Sequence, residues 1–131
     1  MEGGLQTESH MASEGFHESP DLLRPETRDL HRAIVSLMEE LEAIDWYGQR
    51  VDVTGDDDLR AILAHNRDEE QEHAAMVLEW IRRHDGGFDR HLREYLFTEG
   101  SIVRREQALD AGTGTDGARP RTSVGSLREN R

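Results

Sequence analysis

The chain has 131 residues, no cysteine, 34% apolar residues and a formal net charge of −12. That length allows one domain at most, with apolar surface for a small helical core but not for a large self-sufficient one. The missing cysteine excludes disulfides, thiolate-bound zinc and iron–sulfur clusters. The acidity argues against a binder of nucleic-acid backbone, and the apolar runs are too short to span a membrane.

The polar, acidic N-terminus lacks the basic and apolar regions of a signal peptide, so a cytoplasmic protein is expected. Residues 98–131 carry six arginines and five acidic residues, which leaves −13 on the part before them. An acidic folded part with a nearly neutral tail suits a protein that collects cations, although acidity also serves solubility.

Residues 1–18 are rich in Gly, Ser, Glu and His without periodicity and are expected to be a disordered lead. Ser19-Pro20 and Pro25 both offer helix starts, as an N-cap followed by proline and as a proline in the first turn. From Pro25 to about Val53 the pattern is helical, with Leu30, Ala33, Leu37, Glu40, Ile44, Tyr47 and Val51 on one stripe. Thr54–Asp58 is a polar break in which Asp56 or Asp57 caps a second helix. That helix runs to about His84, where Asp85-Gly-Gly87 is expected to stop it. Its stripe reads Leu59, Leu63, Asn66, Glu70, His73, Val77 and Trp80. A short third helix is expected over 88–97, with Gly100 ending ordered structure. Residues 100–121 read as a flexible linker and 122–131 as a terminal peptide.

Both stripes are apolar at their ends and polar in the middle. A helix that buries Leu63 and Val77 must at least half-bury Glu70 and His73. A carboxylate and an imidazole held there are costly unless paired or bound to metal. Glu70 and His73 have the Glu-x-x-His spacing that aims both groups at one ion from adjacent turns. The same spacing at Glu14–His17, in the polar lead, shows that the bare motif is weak evidence. Glu40 on the first helix gives the second match its weight, because it too faces the core. The competing reading is an ordinary solvated charge run from Asp68 to Glu72.

Two antiparallel helices alone leave half of each apolar stripe wet, and two such hairpins make a four-helix bundle. The ligand count agrees. A carboxylate-bridged di-iron bundle takes one Glu from each of two helices and one Glu-x-x-His from each of the other two. This chain supplies half, and two chains related by a twofold axis complete it. The expected fold is therefore all-α: a half-ferritin hairpin over residues 19–99 with a short C-terminal helix, dimerising into a four-helix, ferritin-like bundle. Oxygen and imidazole donors suit Fe, Mn or Zn.

The stretches His31–Tyr47 and Ala61–Met76 resemble the first and second helices of the encapsulated ferritins, and the similarity extends over about residues 24–100. The resemblance implies a ferroxidase with a di-iron centre at each dimer interface, in an annular decamer of five dimers. It implies that Glu40, Glu70 and His73 ligate iron and that Tyr47 stands near the iron behind them. Glu39 and Glu42 would form an outer site through which metal enters, with Trp46 close to it. Thr122–Leu127 resembles the family's terminal peptide that docks inside an encapsulin shell, with Val124 and Leu127 as apolar anchors around Gly125 and Ser126. The protein would oxidise Fe(II) with O2 or peroxide and pass iron to the encapsulin nanocompartment for storage. The alternative is a non-enzymatic dimeric helical protein that binds metal structurally or serves as a scaffold.

Overall fold

The computed structural model describes residues 15–112. Among them every regular element is helical: a 3-10 turn at Pro20–Leu22, then α1 (Pro25–Val53), α2 (Asp57–His84), α3 (Gly86–Tyr95) and α4 (Ile102–Gly112). One unit runs to Arg90 and a second begins at His91. The fold is thus all-helical, as expected.

The choice between the two helix starts falls on Pro25. Ser19 precedes only the 3-10 turn and makes no side-chain cap. Pro25 opens α1, where its missing N–H costs nothing because the first-turn N–H groups have no helical partner. The carbonyl of Arg24 accepts from Thr27 and Arg28, both at 3.1 Å, and closes that turn. Residues 15–18 are not wholly part of an unstructured lead, since the Phe16 ring lies against the His31 ring at 4.3 Å.

With 29 and 28 residues, α1 and α2 are each about 42 Å long at about 1.5 Å per residue. They pack against each other as an antiparallel hairpin. The turn between them is held at both sides. Asp56 Oδ1 accepts the Leu59 N–H at 2.8 Å, the N-cap contact expected of an aspartate there. Arg60 reaches back to the end of α1, donating to the carbonyls of Val51 (3.3 Å) and Thr54 while pairing with Asp57 at 3.2 Å. One side chain therefore satisfies carbonyls that a helix C-terminus leaves without partners.

The stripe expected on α1, from Leu30 to Val51, is half-buried throughout. On α2 the stripe from Leu63 to Trp80 is half-buried and Leu59 is exposed. The deepest positions lie one step aside: Ala74 and Ile81 are the buried residues among those described, at 7% and 2% exposure. They stand seven residues apart on one face. Ala74 is small enough to let the two helix backbones approach.

Helix α2 stops at Asp85-Gly-Gly87 as expected, with Asp85 as its C-cap, and Asp85 starts α3 at the same time. Its N–H reaches the Ile81 carbonyl at 2.9 Å, while its side chain accepts the Phe88 N–H at 3.0 Å. Arg82 clamps this corner. Its guanidinium grips the Glu79 carboxylate at 2.5 and 2.9 Å and also donates to Asp89 in α3, while Arg83 adds a second cation to Glu79 at 2.9 Å.

The second unit corrects the expected linker. Residues 102–112 are helix, not flexible chain. Ser101 Oγ accepts the Arg104 N–H at 3.2 Å, and the segment is rich in good helix formers. Between α3 and α4 the backbone turns through Phe97 and Gly100, at φ 58° and 83°. Thr98 Oγ1 donates to the Tyr95 carbonyl at 2.7 Å, and Arg105 donates to the carbonyl of Glu94. Burial pushes the Tyr95 hydroxyl pKa up, and Glu106, Glu94 and Asp110 add to the shift.

The corner clamp yields a pH-dependent expectation. Hydrogen bonds from Arg82 and then Arg83 hold the Glu79 carboxyl down from the usual 4.5 to about 2. A depressed carboxylate contributes stability above its unfolded value and loses it as pH falls through the folded value. Glu79→Gln should therefore lower the melting temperature at neutral pH. The gap to the unsubstituted chain should narrow between about pH 4.5 and about pH 2, as followed by circular dichroism.

Candidate metal centre

The two polar interruptions expected in the apolar stripes meet at mid-hairpin. Glu40 of α1 and Glu70 and His73 of α2 each offer one ligand atom, and these atoms lie within 4.8 Å of one another. His73 Nδ1 is 3.6 Å from Glu70 Oε2 and 3.9 Å from Glu40 Oε2. The arrangement follows from local rules. Glu70 and His73 are three apart on α2 and so stand on adjacent turns of one face. Glu40 is brought opposite them by the hairpin register that also joins Arg60 to Val51.

The donor set fits a divalent cation of borderline character: two carboxylate oxygens and an imidazole nitrogen, with no sulfur. The group is neither sealed nor free. The Glu40 and Glu70 side chains are 24% and 26% exposed and His73 is 43% exposed. Leu37 and Ile44 on α1 and Leu63 and Val77 on α2 flank it, all half-buried. Three protein donors leave positions free on an ion, and the open side of the group is where further ligands would enter.

The other residues singled out from the sequence are distributed as follows. Tyr47 is half-buried two turns beyond Glu40 on α1, with the Arg50 guanidinium 5.4 Å from its ring centroid. Glu39 is exposed, Glu42 half-buried and Trp46 exposed. Within the described residues of one chain these three join no cluster of metal donors. His84 stacks on Trp80 at 3.9 Å, and His91 Nδ1 is 3.2 Å from Glu94 Oε2. His10, Glu14 and the terminal peptide with Val124, Gly125, Ser126 and Leu127 lie outside the described residues.

One residue escaped the sequence reading. Glu69 stands on the far side of the His73 ring, its Oε2 3.9 Å from Nε2, while its Oε1 is 3.6 Å from His65 Nε2. The signal was available as Glu-x-x-x-His at positions 69 and 73, an i,i+4 spacing. It was hidden within an acidic run.

Comparison with known proteins places these residues in context. The family model described as EncFtn-like matches residues 15–99, which include the whole hairpin. An encapsulated ferritin-like protein of Rhodospirillum rubrum is 60% identical over 106 residues, covering 81% of this chain and 76% of that protein. A ferritin-like protein of Thermotoga maritima is 50% identical over 102 residues, 78% of this chain and 90% of that one. The Myxococcus xanthus encapsulin nanocompartment cargo protein EncC is 37% identical over 115 residues, 76% of this chain and 85% of its own length. A crystal structure of a Nitrosomonas europaea protein superposes with a TM-score of 0.66 at 62% identity, covering 68% of this chain and 98% of that one. With the family match spanning the hairpin and the metal-donor cluster at its centre, the chain belongs to the EncFtn-like family.

Proposed function

We propose that the protein is a ferroxidase that oxidises Fe(II) at a di-iron site shared by two chains and delivers the product to an encapsulin nanocompartment. The observation that carries this reading is the convergence of Glu40, Glu70 and His73 within 4.8 Å at the middle of the hairpin. The names of the relatives, encapsulated ferritin-like and encapsulin cargo, support the setting.

Each chain contributes two carboxylates and one imidazole, half of the donor set of a carboxylate-bridged di-iron bundle. Two chains bring four negative charges, which two ferrous ions offset. Apolar residues on both helices remain exposed in one chain, among them Ile34 (43%), Leu41 (54%), Ile62 (58%) and Met76 (57%). A second hairpin would cover such surface and bring the second half-site. The family resemblance extends this to a ring of five dimers.

Ferrous iron is the substrate. Two Fe(II) ions held side by side each release one electron. With dioxygen as acceptor, two protons are taken up and hydrogen peroxide leaves; with peroxide as acceptor, two protons are taken up and two waters leave. Glu40, Glu70 and His73 hold the ions, and the anionic carboxylate oxygens, as hard donors, favour the ferric product. Tyr47 stands behind them in the same reading. Glu39 and Glu42 guide incoming metal, with Trp46 beside them, in an outer site that takes its shape from neighbouring chains. A two-helix hairpin encloses no store, so the iron is deposited in the shell. Val124, Gly125, Ser126 and Leu127 form the peptide that docks there.

Three outcomes are expected. Replacing Glu40, Glu70 and His73 together by alanine abolishes catalysed Fe(II) oxidation, read as the ferric absorbance rise when anaerobically loaded protein meets air. A structural Zn- or Ca-binding protein would show no such rise even in the unsubstituted chain. Because the empty site gathers like charges between chains, sedimentation velocity should show a larger species with Fe(II) than with chelator. The same distribution under both conditions would refute that coupling. Deleting residues 120–131 should stop co-purification with a co-expressed encapsulin shell protein and leave the oxidation rate unchanged.

A further inference from the structure

The imidazole of His73 has carboxylates at both ring nitrogens. Nδ1 faces Glu70 and Glu40 at 3.6 and 3.9 Å, and Nε2 faces Glu69 at 3.9 Å. A neutral imidazole offers one lone pair and one N–H, and its tautomer is set by whatever holds the other nitrogen. The Nδ1 side has the two donors that complete a metal site, so the lone pair belongs there. That leaves the Nε2 proton aimed at Glu69.

We propose that Glu69 is a positioning residue: it receives the Nε2–H of His73 and thereby fixes the ring with Nδ1 toward the metal. The inference rests on the reading that His73 is a ligand, and it adds a carboxylate–histidine–metal relay to it. The separation of 3.9 Å is about 1 Å longer than a hydrogen bond, a gap that a small rotation of the Glu69 side chain closes. Glu69 is itself steadied from the other side. Its Oε1 lies 3.6 Å from His65 Nε2, so the carboxylate stands between two imidazoles, each one turn away on the same face. Its side chain is 50% exposed, which leaves it room to close the remaining gap.

Glu70 cannot serve this purpose, because it faces the same nitrogen as the metal would. Glu72 immediately precedes His73 on α2 and is exposed on a different face. Among the described residues, Glu69 is thus the carboxylate that the structure places at Nε2.

The test uses the full chain, anaerobic Co(II) as a non-oxidisable probe, and three variants: Glu69→Ala, Glu69→Gln and His73→Ala. Glu69→Ala should weaken Co(II) binding about 10- to 100-fold by calorimetry, the usual loss when a ligand's supporting carboxylate is removed. Glu69→Gln, which keeps an acceptor oxygen, should lose less. The paramagnetically shifted N–H resonance of the bound imidazole should be visible in the unsubstituted protein and exchange-broadened in Glu69→Ala. A merely structural role predicts equal losses in Glu69→Ala and Glu69→Gln, a lowered melting temperature of the metal-free protein and an unmoved resonance; that result overturns the inference. Binding by Glu69→Ala at unsubstituted affinity with the resonance intact overturns it too, while leaving His73 as a ligand. Undiminished binding by His73→Ala overturns the ligand reading and the inference together.

Discussion

The structure turns on three ionisable groups held in the middle of the largely apolar facing stripes of a helix pair. One ligand atom each of Glu40, Glu70 and His73 lies within 4.8 Å of the others. Two like charges at that distance repel by about 3 kcal/mol at an effective dielectric near 20. Against a total stability of about 5–15 kcal/mol, that is a large local cost. Leu37, Ile44, Leu63 and Val77 hold the helices together on either side and keep the carboxylates from separating. Such a site favours a divalent cation because the flanking packing prevents the charges from relaxing apart.

This constraint accounts for the rest of the hairpin. The interior has to be secured away from the polar centre, and it is. Ile81 and Ala74 supply the deepest burial on the α3 side, and the Glu79–Arg82–Asp89 clamp fixes the corner beyond them. At the opposite end Arg60 and Asp56 lock the turn. Both ends are anchored by charged side chains on main-chain groups or on each other. The register that places Glu40 opposite His73 is thereby set from two sides.

Much of this was legible in the residues alone, and the omissions have physical causes. Helices α1 and α2 were readable because Pro25 and Asp56 mark their starts and their apolar residues recur at helical spacing. The meeting of Glu40 with Glu70 and His73 was readable for the same reason, since all three interrupt that spacing. The deepest line was displaced because periodicity weights large apolar residues, whereas close helix approach rewards small ones such as Ala74. Helix α4 went unread because Ile102–Gly112 has no sustained apolar stripe; its Ser101 cap and helix-forming residues sustain it instead. Glu69 was lost among its acidic neighbours, where only the distance to Nε2 distinguishes it. The roles proposed for Glu39, Glu42 and Trp46 are of another kind. In that proposal they concern surfaces between chains, which spacing along one helix does not describe.

The exposure of the site sharpens the argument for a shared centre. A structural metal site complete within one chain would close its set of ligands around the ion. Here His73 keeps 43% of its surface and apolar residues such as Leu41 and Ile62 remain open. Burying those residues would draw the half-site into a drier interior, where each charge–charge interaction strengthens. Without metal, that burial works against the carboxylates; with metal, it works for the complex. Association, ion binding and redox chemistry are therefore coupled through one electrostatic balance in the proposed reading. A carboxylate such as Glu69, placed outside the ligand group, adjusts that balance by fixing the ring without adding a third anion to the ion's contacts.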